Sequence, residues 1–110
     1  MFPFDPDEDW YDAGLAELEN LSNGVLDLIE SGRFDEAERI CLELKTRFPD
    51  QIDWIDRSAA LEEARGEIEK ALKHYQWGLV HIARYPDGFD SDSRAYYRRQ
   101  IDRLRRQRGC

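Results

Sequence analysis

Asp5, Asp7 and Asp9 place carboxylates at alternate positions near the start of the chain, the spacing with which a calcium loop begins. Such a loop needs glycine at its sixth place for the turn and glutamate at its twelfth, where Trp10 and Ala16 stand. A solvated acidic segment, favouring the positive end of the helix that follows, is the better reading. His74 and His81 share a face if their segment is helical, but seven residues put them about 10 Å apart along the axis, too far to ligate one metal. Cys41 falls at an inward helical position and reads as a small buried hydrophobe. There is no Gly-rich phosphate loop and no Gly-x-Ser-x-Gly elbow. With 24 Asp and Glu among 110 residues, neighbours such as Glu62-Glu63 follow from composition and select no acid–base couple. No catalytic residue, metal or cofactor is expected.

The elements that carry these residues read as helices throughout, so the expected fold class is all-α. Leu15, Leu18, Leu21, Val25, Leu28 and Ile29 recur at three- and four-residue steps, and Ser31-Gly32-Arg33 ends that stripe. Phe34, Ala37, Ile40, Cys41, Leu44 and Phe48 share the next face, stopped by Pro49-Asp50. Ile52, Ile55, Ala59, Ala60 and Leu61 mark a third helix, and Ile68, Ala71, Leu72, Tyr75, Leu79 and Ile82 a fourth, which runs toward Pro86. Asp90, Ser91 and Asp92 offer caps for a fifth, with Tyr96, Tyr97, Ile101 and Leu104 as its apolar face. Asp7–Asn20 is a separate helix or the start of the first. The length fits one domain, able to fold without metals or disulfides.

Two stretches are alike. Gly32-Arg33-Phe34-Asp35-Glu36-Ala37 and Gly66-Glu67-Ile68-Glu69-Lys70-Ala71 share the order glycine, charged, apolar, acidic, charged, alanine, and the step between them is 34 residues. The glycines suit corners between antiparallel helices, Phe34 and Ile68 the gap within each hairpin, and Ala37 and Ala71 a close helix crossing. With Pro49 and Pro86 closing the units, the chain resembles two degenerate tetratricopeptide repeats followed by a capping helix. The organisation expected is one domain, 1–110: an acidic aromatic segment 1–17, repeats at 18–51 and 52–88, and an Arg-rich cap at 90–108. Pro86 comes three residues late, making the fourth helix nearly a turn longer than standard.

The resemblance implies a groove lined by the first helix of each pair: Glu19, Ser22, Leu26 and Ile29 from one, Asp53, Asp56, Ala60 and Glu63 from the other. Its acidic rim and apolar floor would hold a basic or amphipathic segment of a protein partner. Apart from that groove, Trp54 and Trp77 read either as core or, for Trp54, which precedes the helix stripe, as an exposed anchor. Substituting those carboxylates is expected to leave stability near neutral. The implied role is a non-enzymatic adaptor or chaperone-like module, able to homodimerise because two hairpins leave apolar ends. Phe2, Phe4, Trp10 and Tyr11 either cap the first hairpin or form an arm for a partner.

Charge is sorted along the chain, whose net charge is −8. Nine acids and no base precede Arg33, whereas Arg94, Arg98, Arg99, Arg103, Arg105, Arg106 and Arg108 crowd the end against Asp102 alone. A nucleic-acid contact through that helix is the alternative function, disfavoured by the acidic body and by the apolar stripe that continues through the arginines. No apolar run approaches a membrane span and no secretory signal is visible, so a cytoplasmic setting is expected.

Overall fold

The computed structural model describes the backbone of residues 6–109 and the side chains of residues 14–109. Five helices follow one another: α1 (Pro6–Glu30), α2 (Phe34–Arg47), α3 (Asp53–Ala64), α4 (Ile68–Arg84) and α5 (Ser91–Arg108), with a single 3-10 turn, Pro86–Gly88, before α5. No strand occurs among the described residues, and the fold is all-α. α1 is unbroken, so no helix boundary falls near residues 17–20. The aromatic side chains of Phe2, Phe4, Trp10 and Tyr11 lie outside the described residues.

The corner after α1 and the corner after α3 are built alike. Gly32 and Gly66 take φ of 74° and 77°, a region that side-chain-bearing residues enter only with strain. At each, the amide three places beyond the helix end reaches back to a last-turn carbonyl, Arg33 to Leu28 and Glu67 to Glu62, both at 2.8 Å. The glycine amides donate to Ile29 and Glu63, both at 3.0 Å. This paired bonding satisfies carbonyls that a helix end leaves open and turns the chain back on itself. The far ends of the two hairpins match as well: Phe48 caps α2 at φ −130°, ψ 57° and Tyr85 caps α4 at φ −123°, ψ 64°. The chain is thus helical-repeat-like, with α4 (17 residues) three residues longer than α2 (14 residues). Both helices end just before their prolines, at Arg47 and Arg84.

α1, α3 and α5 form one layer; α2 and α4 pack behind them, with no close backbone approach between those two. Ala37 and Ala71 are fully buried at the two crossings. Leu18, Val25, Ala37, Cys41, Leu44 and Leu61 fill the first hairpin and its junction with α3. Ala59, Leu72, Tyr75, Ile82, Tyr97, Ile101 and Leu104 fill the second and its junction with α5. α3 contributes to both cores, which ties the hairpins into one stack. Leu15, expected in the first stripe, is 40 % exposed. Arg47, the last residue of α2, meets Glu17 at 2.5 Å, so Leu15 lies beyond the helix that would have covered it.

α5 seats on α4 through a size match. Gly78 is buried under the Tyr97 ring, and a β-carbon there would stand 2.9 Å from the Tyr97 Cε1 atom. Gly24 of α1, by contrast, has open space around its missing β-carbon. Gly24→Ala should stabilise by about 0.5–1 kcal/mol from helix propensity alone. Gly78→Ala should lose more than that gain by displacing Tyr97, for a net loss of about 1–2 kcal/mol in urea melts. Ala37→Arg and Ala71→Arg should each abolish the cooperative unfolding transition followed by circular dichroism, because neither crossing has room for a longer side chain.

Candidate functional site

The face formed by α1, α3 and α5 is the one the repeat pattern singles out, and its carboxylates are occupied. Ser22, 2 % exposed where α1 meets α3, donates its hydroxyl to Asp53 at 2.7 Å. The Ser22 carbonyl accepts from Arg57 Nε at 3.1 Å, and Arg57 also pairs with Asp56. Across to α5, the Tyr97 hydroxyl donates to Asp56 at 3.2 Å, while Arg103 meets Glu63 at 2.5 Å and the Tyr75 hydroxyl donates to Glu63 at 3.3 Å. Asp53, Asp56 and Glu63 therefore link neighbouring helices instead of rimming an open groove. Replacing them removes these contacts, so a loss of stability is expected in place of the near-neutral outcome. Glu19 and Leu26 are exposed on α1, whereas Ile29 is half-buried on the first core and Ala60 is half-buried on α3.

An open cleft of about 440 Å³ lies farther along, where the start of α3, the 3-10 turn and the start of α5 converge. Ile52, Phe89 and Tyr96 give it an apolar floor, and Asp90, Asp92 and Ser93 its polar edge. Asp90 holds the end of α5 by accepting from the Ser93 amide at 3.0 Å. Asp92 is exposed on the first turn, where the helix dipole favours it. An acidic edge over an apolar floor was expected from the sequence, but on other residues. Asp90 and Asp92 read as capping signals, and nothing in the pattern shows that Phe89 folds back beside Ile52.

Trp54 faces away from both. Its indole N–H donates to the Pro49 carbonyl at 3.1 Å, and its ring meets His74 and Trp77 edge-on at centroid distances of 6.1 and 6.4 Å. Half-buried beside the first core, it is not the anchor of the α1/α3/α5 face; Trp77, 51 % exposed, is the indole that solvent reaches. His74 Nδ1 contacts Glu62 at 2.7 Å, joining α3 to α4 beside the two indoles. Among the described residues, no group of three or more His, Cys, Asp or Glu is placed to hold a metal, and no helix is long and apolar enough to cross a membrane. Two of the tail arginines pair with acids of the preceding helices, Arg103 with the half-buried Glu63 and Arg108 with the exposed Glu69.

Burial tunes the acidities of this face. Burial first, and nearby Asp56 and Glu63 second, push the Tyr97 and Tyr75 phenols well above the ordinary tyrosine range. Burial likewise pushes the Cys41 thiol up to about 11. Comparison with known protein families, with curated proteins and with solved structures finds no match for the chain.

All three raised groups lose their protons earlier in the unfolded chain, so their contribution to stability is complete below the unfolded values and falls as pH rises through the folded ones. Urea midpoints should hold steady to about pH 8.5 and then drop toward pH 11. Tyr97→Phe should flatten that drop while lowering stability at pH 7 by about 1 kcal/mol, because Asp56 loses a donor. Asp56→Ala and Glu63→Ala should each lower stability by about 1–2 kcal/mol at pH 7, read from the same melts.

Proposed function

We propose that the chain is a non-enzymatic protein–protein interaction module, a small tetratricopeptide-like adaptor or chaperone-like scaffold that holds a basic or amphipathic partner segment. The reading rests on one observation: the cleft between α3 and α5 sets Ile52, Phe89 and Tyr96 beneath Asp90 and Asp92. An amphipathic segment buries apolar side chains on such a floor while its Lys or Arg residues face the acidic edge. The net charge of −8 draws cationic segments toward the molecule and speeds their encounter. The matching Gly32 and Gly66 corners support the repeat assignment. A free, buried Cys41 thiol fits a reducing cytoplasmic setting.

A short fluorescent Lys/Leu amphipathic peptide tests the reading by anisotropy at low salt. Binding should saturate and weaken as salt is added. Asp92→Lys combined with Tyr96→Ala should weaken it by about tenfold or more, equivalent to about 1.4 kcal/mol, with the melting temperature little changed. Equal affinity for the wild-type and the doubly substituted chain would remove this cleft as the site.

A further inference from the structure

The outer face of α4 carries a stripe that neither the core nor the proposed cleft uses. Lys73, Trp77, Val80 and Arg84 follow one another at steps of four, three and four residues, so they share one side of the helix. All four are exposed, Trp77 at 51 % and Val80 at 56 %, large values for an indole and a branched aliphatic group standing side by side. Between this stripe and the Pro49 corner lies a cleft of about 280 Å³, walled by Pro49, Trp54, Trp77, Val80 and Arg84. The Lys45 ammonium sits 5.0 Å from the Trp54 ring centre, which puts a third cation at the same rim. Asp50 stands beside His81 at the corner, but the stripe itself carries no acid.

A cationic, aromatic cleft is at odds with a chain whose net charge is −8. Its chemistry does not suit symmetric pairing of α4 with α4, which would bring Lys73 and Arg84 toward their own copies. What it complements is an acidic segment bearing large apolar side chains, and this chain contains one. Met1-Phe2-Pro3-Phe4-Asp5-Pro6-Asp7-Glu8-Asp9 has two phenylalanines and four carboxylates and no base. The two regions do not readily meet within one molecule. α1 is helical from Pro6, which stands about 16 Å along the axis from Glu17, the level of the end of α2, and α1 makes no contact with α4.

We propose that residues 2–9 of a second copy of this chain dock in the Trp54/Trp77 cleft, with Phe2 or Phe4 against the indoles and the carboxylates toward Lys45, Lys73 and Arg84. Reciprocal exchange of the two arms closes a dimer. The face is separate from the α3/α5 cleft, so this dimer stands or falls independently of partner capture there.

Sedimentation velocity of the full chain over a concentration series at low salt reads the association. The wild-type chain should shift from monomer to dimer, and the shift should weaken in high salt. Two variants divide the interface, Trp77→Ala with Arg84→Glu on the cleft side and Phe2→Ser with Phe4→Ser on the arm side. Each alone should stay monomeric with an unchanged helical spectrum, whereas an equimolar mixture should associate through its one intact arm and cleft. A wild-type chain that stays monomeric throughout, a variant that dimerises as the wild type does, or a mixture that stays monomeric would each overturn the proposal.

Discussion

Two peptide units, at Gly32 and Gly66, hold the left-handed backbone on which the arrangement depends. Because each lets the chain reverse within three residues, α2 folds back on α1 and α4 on α3, bringing apolar stripes into register. A β-carbon at either corner would resist that conformation by about 1 kcal/mol. The buried alanines at the crossings follow from the same constraint: a tight reversal leaves the paired helices little separation, and only a small side chain fits between them.

The hairpins are joined by polar contacts as well as by packing. On the α1/α3/α5 face, hydroxyl groups and arginines from one helix meet carboxylates of the next, so a surface dense in acid does not repel itself. Ser22 to Asp53, Tyr97 to Asp56 and Arg103 to Glu63 make one such contact after another along the layer. The three carboxylates are half-buried, where hydrogen bonds from charged or phenolic donors are stronger than on open surface. Among the described residues, no buried side-chain nitrogen or oxygen lacks a partner.

What the sequence made legible was local. Helix stripes, stop signals and the recurrence of glycine and alanine at a 34-residue step are properties of neighbouring residues, and the helices, corners and buried alanines follow from them. The roles of Asp53, Asp56 and Glu63 depended on partners 31, 41 and 40 residues away, respectively, which no periodicity announces. Leu15 kept its place in the stripe yet lost its cover because α2 ends at Arg47. Trp54 is half-buried because its indole is held by the Pro49 carbonyl five residues earlier and packs against His74 and Trp77. The 440 Å³ cleft was hidden for a similar reason, since Phe89 closes it only once the 3-10 turn has swung α5 across the start of α3.

The Gly78 socket bears on how such a stack could lengthen. Each helix hairpin presents its successor with a surface of fixed relief, and behind α4 that relief is a hollow shaped for a tyrosine ring. A duplicated hairpin spliced in ahead of α5 would bring a copy of α3 to that hollow, and α3 carries no tyrosine to fill it. Growth by tandem copying therefore demands a compensating change on one side of the joint. Gly78 and Tyr97 act as a lock that fixes which helix can seat against α4.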